Sequence, residues 1–167
     1  AKYASIPVIN GLTDFNHPCQ IMADIFTISE KFDSLDGITI SYVGDGNNIV
    51  HSWLELASIL PINFNIVCPE NFLPDMDLVE KTKNKNISSI KIFHDPHDGV
   101  LDSDVIYTDV WASMGQKEEA ENRRKIFAPF QVNDALMNAS GKDTIFMHCL
   151  PAERGVEVTD SVCDSPN

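Results

Sequence analysis

Short runs of apolar, β-prone residues alternate along the chain with segments whose apolar residues recur at helical spacing. The runs predicted to form strands are residues 6–11, 38–43, 64–68, 90–93, 104–110 and 144–149. The segments predicted to form helices are residues 20–32, 47–60, 76–83, 117–130 and 133–137. Such alternation is typical of α/β proteins. We therefore predict a three-layer fold in which helices cover both faces of a mainly parallel, five-stranded sheet.

The charge of the chain narrows the classes of partner. The 167 residues carry a formal net charge of -13, and binding to phosphate backbones requires clustered lysine and arginine. No apolar stretch approaches the ~20 residues that span a bilayer. We therefore expect neither nucleic acid nor a membrane as partner. Residues 118–125 mix acidic and basic side chains, which predicts a solvent-exposed helix face.

The four cysteines lack the spacing of a metal site or of a disulfide framework. His94 and His97 have no third ligand at suitable spacing, so we expect no metal. The chain shows no targeting segment, and reduced thiols fit a cytoplasmic protein, or a mitochondrial or plastid one in a eukaryote. It lacks a starting methionine and a capped terminal helix, which predicts a fragment of a longer polypeptide.

Three predicted strands end in polar, reactive or glycine-rich residues. These strand ends are residues 44–48 (Gly-Asp-Gly-Asn-Asn), 109–115 (Asp-Val-Trp-Ala-Ser-Met-Gly) and 148–151 (His-Cys-Leu-Pro). Open, Rossmann-like α/β sheets bind ligands outside the carboxyl ends of their strands. The sequence therefore predicts one crevice built from these three loops.

Each motif also has a purely structural interpretation. Residues 44–48 lack the third glycine of a dinucleotide-binding loop and can simply be a tight strand-to-helix turn. Functionally, Asn47 and Asn48 would expose amides at a helix start, where a carboxylate can bind. His17 and Gln20 begin another predicted helix, and both could hydrogen-bond a polarised oxygen.

The remaining two loops offer a carboxylate and a thiol. Asp109 could pair with an ammonium group, while Gly115 would let its loop hinge. Cys149 could be a buried core thiol, the commoner fate of a free cysteine. Its neighbours His148 and Pro151 favour a functional interpretation.

Together, these four motifs resemble the ornithine carbamoyltransferase family in their order and spacing. The resemblance implies that residues 1–167 form the ornithine-binding domain, without the N-terminal carbamoyl-phosphate domain and the C-terminal helix. It also implies transfer of a carbamoyl group from carbamoyl phosphate to the δ-amino group of L-ornithine, giving L-citrulline and phosphate. The family needs no metal or organic cofactor, and the resemblance implies a homotrimer or a multiple of it.

The resemblance also implies roles for individual residues. It implies carbamoyl-phosphate contacts for His17, Gln20, Cys149 and Leu150, and ornithine contacts for Asn48, Asp109, Ser113 and Met114. Cys149 and Leu150 would also lie beside the reacting amine. The catalytic group would comprise Asp109, Cys149, His17 and Gln20. We expect direct attack of the amine rather than a covalent intermediate on Cys149, because no base is obviously paired with the thiol.

One departure from the family and several alternatives bear on activity. The Ser-Thr-Arg-Thr-Arg phosphate-binding string of the family is missing from this sequence, so we expect the isolated chain to be inactive. The alternatives are a sister carbamoyltransferase for aspartate, putrescine or acylated ornithine, a non-catalytic amino-acid-binding module, and a dinucleotide-binding domain. An aspartate enzyme would be expected to carry proline in place of Cys149.

Overall fold

A computed structural model describes residues 3–112 and 117–166, with the backbone alone for residues 117–119. The strands are β1 Thr39–Val43, β2 Asn63–Val67, β3 Ser89–Phe93, β4 Val105–Thr108 and β5 Ile145–His148. The helices are α1 Pro18–Lys31, α2 Asn48–Ala57, α3 Met76–Lys83, α4 Pro96–Val100, α5 Lys117–Phe127, α6 Asp134–Ala139 and α7 Asp160–Cys163. A 3₁₀ turn, Ala128–Phe130, follows α5.

The five strands form one sheet in the order β3-β2-β1-β4-β5, and every pair is parallel. The α/β fold with a five-stranded sheet is thus confirmed. The chain leaves β1 in one direction to build β2 and β3, and then returns to build β4 on the other side of β1. The loops that follow β1 and β4 therefore diverge, which opens a crevice at their carboxyl ends.

Alternation along each strand produces two cores, one on each face of the sheet. Ile40 and Tyr42 of β1 pack into the first core, whereas Val43 packs into the second. The first core is closed by α1, α2 and α3, which contribute Ile21, Ile25, Ile28, Ile49, Val50, Trp53, Leu54 and Val79. The second is closed by the later helices and loops, which contribute Val100, Phe127, Phe130, Leu136, Val158 and Val162. Helices on both faces are thus confirmed.

Local capping explains where several helices begin. The side chain of Asn47 accepts hydrogen bonds from the backbone N–H groups of Ile49 and Val50, which caps α2. Asp75 caps α3 in the same way, and Asn133 caps α6. Strand β1 therefore passes into α2 through a turn fixed by an asparagine.

Some predicted elements differ from the structure. Residues 6–11 form no strand, and the side chains of Ile6 and Ile9 are 73% and 83% exposed. This run has β-branched residues, but Pro7 removes a hydrogen-bond donor and no neighbouring strand pairs with it, so the prediction was wrong. The predicted helix 117–130 ends its α-helical part at Phe127. The short helices α4 and α7 were not predicted, because one turn carries little periodicity.

Among the described side chains of the charged run, those of residues 120–125, Arg123 is buried. Arg123 is 9% exposed, pairs with Asp45, and donates from Nε to the carbonyl oxygen of Trp111. Its guanidinium carbon lies 4.8 Å from the centre of the Phe72 ring. The prediction of a solvent-exposed face was wrong at this position, because the partner of Arg123, Asp45, lies far away in sequence. Among the described helices, none has the length and apolar character needed to cross a membrane.

Candidate active site

A cavity of about 440 Å³ opens at the carboxyl ends of β1, β4 and β5. It is lined by Leu12, His17, Asn48, Ile49, Asp109, Val110, Ala112, Cys149, Leu150, Pro151, Ala152 and Glu153. The three strand-end loops and the start of α1 thus meet at one place. Ser113 and Met114 lie outside the described residues.

Asp109 and Cys149 form the polar centre of this cavity. The Sγ of Cys149 lies 3.0 Å from Oδ1 of Asp109, within hydrogen-bonding distance. The same oxygen accepts from the backbone N–H of Val110 at 2.8 Å, and Oδ2 accepts from Nδ2 of Asn47 at 2.8 Å. The carboxylate is therefore fixed in orientation and faces the cavity beside the thiol.

The surroundings of Cys149 keep its thiol neutral. Burial raises the pKa of this thiol, and the neighbouring Asp109 carboxylate raises it further by repelling a thiolate and by accepting the S–H hydrogen bond. A reactive cysteine requires the opposite setting, with a depressed pKa. The thiol is therefore arranged as a hydrogen-bond donor rather than as a nucleophile.

His148 holds the loop that carries Cys149. Its Nδ1 accepts from the backbone N–H of Leu150 at 2.8 Å, so Nε2 carries the proton and faces Oε1 of Glu157 at 3.2 Å. The side chains of His148 and Glu157 are 3% and 0% exposed. Leu150 has a φ of 59°, in the left-handed region. The buried pair therefore fixes an unusual backbone turn beside the thiol.

Asp109, His148 and Cys149 also form a set of potential metal ligands. One ligand atom of each lies within 4.8 Å of the others. Both ring nitrogens of His148 take part in hydrogen bonds, one with Leu150 and one with Glu157, and the Cys149 thiol is hydrogen-bonded to Asp109. The geometry is that of a hydrogen-bonded cluster, and a metal would have to displace those bonds.

His17 lines the cavity from the N-terminus of α1. Its backbone N–H donates to Oγ of Ser52 at 2.7 Å, which fixes the helix start against α2. Its Nδ1 is buried and has no hydrogen-bond partner among the described residues. A buried polar atom without a partner is costly, so this nitrogen needs a partner that the described residues do not supply.

Gln20 does not line the cavity. It lies one turn further along α1, where its Nε2 donates to Oδ1 of Asp24 at 3.0 Å. Asp24 is 5% exposed and also accepts from the hydroxyl of Tyr107 at 2.7 Å. Of the predicted site residues, Asn48, Asp109, Cys149, Leu150 and His17 line the cavity together, whereas Gln20 lies outside its lining.

Asn47 was predicted with Asn48 to expose an amide to a bound carboxylate, but its contact with Asp109 was not predicted. Asn48 instead donates from Nδ2 to the carbonyl oxygen of Thr13 at 3.3 Å. The role of Asn47 as helix cap leaves its Nδ2 free to donate, and that amide reaches Asp109. The cap position before a predicted helix was the signal that could have identified it.

The glycines of residues 44–48 have a packing role. Gly46 donates its N–H to the carbonyl oxygen of Phe72 at 2.9 Å. A Cβ atom at this position would collide with the backbone of Leu73 and Pro74. Close approach of the two loops explains Gly46, and the third glycine of a dinucleotide loop is missing. This favours the structural interpretation over a dinucleotide site.

Comparison with known proteins agrees with this geometry. Residues 36–167 match the family model "Aspartate/ornithine carbamoyltransferase, Asp/Orn binding domain", and residues 1–30 match the model "Aspartate/ornithine carbamoyltransferase, carbamoyl-P binding domain". The chloroplastic ornithine carbamoyltransferase of Pisum sativum is 60% identical over 166 residues, which cover 99% of this chain and 44% of that protein. The ornithine carbamoyltransferase of Thermococcus kodakarensis is 55% identical over 170 residues, or 100% of this chain and 54% of that protein.

The solved structure of the ornithine carbamoyltransferase from Pyrococcus furiosus superposes with a TM-score of 0.92 at 52% identity, covering 99% of this chain and 54% of that one. The chain thus spans about half the length of the relatives that it matches. Its fold agrees with that of the Pyrococcus furiosus enzyme over 99% of the chain. The chain belongs to the aspartate/ornithine carbamoyltransferase family.

Proposed function

We propose that this chain is the ornithine-binding half of an enzyme that transfers the carbamoyl group of carbamoyl phosphate to the δ-amino group of L-ornithine. The products are L-citrulline and phosphate, as in arginine biosynthesis. The sequence predicted one ornithine-binding domain over residues 1–167. In this proposal that domain is residues 36–167, and residues 1–30, which match the carbamoyl-phosphate model, are the end of the carbamoyl-phosphate domain. The roles of Ser113 and Met114 as ornithine contacts stay predictions.

One observation carries the proposal: a fixed carboxylate and a neutral thiol share one face of a cavity in a chain of this family. Asp109 can bind an ammonium group, and Cys149 lies within 3.0 Å of that carboxylate. Asn48 lies at the N-terminus of α2, where the helix dipole favours a carboxylate. The cavity therefore offers complementary groups to both ends of a zwitterionic amino acid.

The reaction requires an unprotonated amine, because its nitrogen lone pair forms the new N–C bond. A free δ-amine is largely protonated near neutral pH. In the proposed mechanism, the δ-ammonium group binds beside Asp109 and loses one proton to bulk water. Asp109 and Cys149 then orient the resulting amine toward the carbamoyl carbon. The C–O bond to phosphate then breaks, and the departing phosphate takes up the proton that the amine loses. No covalent bond to Cys149 is needed, in agreement with the raised pKa of its thiol.

The carbamoyl oxygen gains negative charge as the amine attacks, so a hydrogen-bond donor beside it lowers the barrier. His17 lines the same cavity, and its buried Nδ1 has no partner among the described residues. We assign it, with Gln20, to the carbamoyl group. No metal or organic cofactor is part of this mechanism.

The test is release of phosphate from carbamoyl phosphate by the full-length enzyme, with the carbamoylated product identified, and with L-ornithine, putrescine, L-aspartate and N-acetyl-L-ornithine compared at equal concentration. We expect turnover with ornithine only. Equal use of putrescine would show that the amino-acid head group is not recognised, and preference for aspartate or acetylornithine would assign a sister activity.

The isolated chain serves as the matched control. We expect it to form no measurable citrulline, because its sequence lacks the phosphate-binding string of the family. Binding of ornithine without turnover would support its role as the ornithine-binding half. Full turnover by the isolated chain would show that the donor site lies within these residues.

The same proposal extends to assembly and location. We infer a homotrimer, or a multiple of it, for the full-length enzyme in the cytoplasm, or in a mitochondrion or plastid of a eukaryote. The Pisum sativum relative carries "chloroplastic" in its name. Sedimentation equilibrium tests the trimer, and a monomeric active enzyme would refute it.

A further inference from the structure

Asp24 is a buried carboxylate in the apolar stripe of α1. It is 5% exposed and lies between Ile21, Ile25 and Ile28 on the face that closes the first core. Both of its oxygens are held by neutral donors, the Gln20 amide at 3.0 Å and the Tyr107 hydroxyl at 2.7 Å. Burial of a charge is costly without strong compensation. Packing alone would favour an apolar residue at this position.

The first partner of Asp24 is Gln20, a residue assigned above to the carbamoyl group. Gln20 and Asp24 are four residues apart on α1 and therefore share one helix face. An ionised carboxylate can only accept hydrogen bonds, so it fixes the Gln20 amide with its nitrogen inward. The Oε1 of Gln20 then remains an acceptor, and the NH₂ of a carbamoyl group is a donor.

The second partner of Asp24 is Tyr107, which lies close in sequence to Asp109, a residue assigned above to ornithine. Tyr107 lies two residues before Asp109 on the same strand continuation, so both side chains lie on one face of the sheet. Its hydroxyl donates to Asp24, and Tyr107 belongs to the first core, against which Cys149 packs. The thiol in turn lies 3.0 Å from Asp109. Hydrogen bonds thus join Gln20 to Tyr107 through Asp24, and Cys149 packs against the same core beside Asp109.

We propose that Asp24 is a positioning residue that orients Gln20 toward the carbamoyl group and Tyr107 toward the thiol, and so aligns the two substrates. The inference rests on the proposed carbamoyl transfer. It adds a residue outside the cavity that acts on both halves of the site. Because α1 and β4 belong to segments that match different family models, Asp24 also links those two segments.

The experiment is steady-state kinetics of the full-length enzyme with Asp24→Asn. The asparagine keeps the volume and can still accept from Tyr107, but it presents an NH₂ to the NH₂ of Gln20. We expect at least a tenfold rise in KM for carbamoyl phosphate, with KM for ornithine changed less than threefold. The double variant Asp24→Asn with Gln20→Glu restores a donor–acceptor pair of reversed polarity, and should recover most of the lost affinity.

A second variant tests the other arm. Tyr107→Phe removes only the hydroxyl, and we expect it to raise KM for ornithine at least threefold while KM for carbamoyl phosphate stays nearly constant. This variant keeps the proposal testable if Asp24→Asn fails to fold. Asp24→Asn should thus raise mainly the KM for carbamoyl phosphate, and Tyr107→Phe mainly the KM for ornithine. A general loss of stability would not separate the two KM values in this way.

Thr82→Val is the matched control. The Thr82 hydroxyl is buried in the described structure and donates to the carbonyl oxygen of Leu54 at 3.3 Å, far from the cavity. The valine should lower the melting temperature and leave both KM values unchanged. Kinetics of Asp24→Asn indistinguishable from this control would overturn the inference alone. An unmodified enzyme that forms no citrulline would instead refute the proposed function, and the inference with it.

Discussion

Replacement of Asp109 by asparagine is the most direct perturbation of the candidate site. The change keeps the size of the side chain and removes the charge proposed to bind the substrate ammonium group. Losing one partner of a desolvated charge pair costs about 2–4 kcal/mol. With tenfold per 1.36 kcal/mol, kcat/KM for ornithine should fall roughly 30- to 900-fold.

The structure also gives the cost of this change to the fold. Oδ2 of Asp109 accepts a hydrogen bond from the Asn47 amide. If an asparagine at position 109 presents its NH₂ there, two hydrogen-bond donors face each other. Asn47 cannot rotate its amide without losing the cap of α2, because its Oδ1 accepts from Ile49 and Val50. We expect a loss of about 1–2 kcal/mol of unfolding free energy.

The assay is citrulline formation at saturating carbamoyl phosphate with varied ornithine, together with urea unfolding. Asp36→Asn is the control, since it removes the same charge from an exposed position before β1. A kcat/KM for Asp109→Asn within threefold of this control would refute the assignment of Asp109 to ornithine.

Three further outcomes follow from the surroundings of single residues. In the isolated chain at pH 8, Cys149 should react slowly with iodoacetamide, and it should react faster in the Asp109→Asn variant. Removing the carboxylate lowers the pKa of the thiol and so increases the thiolate fraction. An unchanged reaction rate, measured by mass spectrometry, would contradict this explanation. Arg123→Met should lower the unfolding free energy by about 1–3 kcal/mol at pH 7, and by less at pH 4. The partly buried carboxyl of Asp45, which loses its partner, already has a raised pKa and becomes neutral at low pH. Equal losses at both pH values would argue against an ionised pair. Gly46→Ala should lower the unfolding free energy, measured with urea, by about 1–3 kcal/mol. Gly11→Ala should leave it nearly unchanged, because the space around Gly11 is open. Similar values for both variants would contradict the steric explanation.

Hydrophobic periodicity located the elements that have strong apolar patterns. The helix predicted at residues 76–83 matches α3 at both ends, and the strand predicted at residues 64–68 differs from β2 by one residue at each end. Strand ends then identified the cavity, because parallel strands place their carboxyl ends together. Residues 6–11 failed, since β-propensity cannot show whether a partner strand is present.

Buried charges were the part that the sequence did not reveal. Arg123 and Glu157 acquire their burial from partners that lie far away along the chain or across a loop. Asp24 did leave a signal, because it interrupts the stripe of Ile21, Ile25 and Ile28 at helical spacing. A carboxylate inside an apolar stripe predicts a buried hydrogen-bond partner, although the pattern cannot tell which residue provides it.

Helix α1 shows that a family boundary and a folding unit need not coincide. It belongs to the segment that matches the carbamoyl-phosphate model, yet its isoleucines at positions 21, 25 and 28 are 1%, 6% and 0% exposed within the core of the other segment. Burial of each such side chain is worth about 1.5–3 kcal/mol, so the three together equal much of the stability of a typical domain. A protein trimmed to residues 36–167 would leave the surface under α1 open to water and should unfold or aggregate.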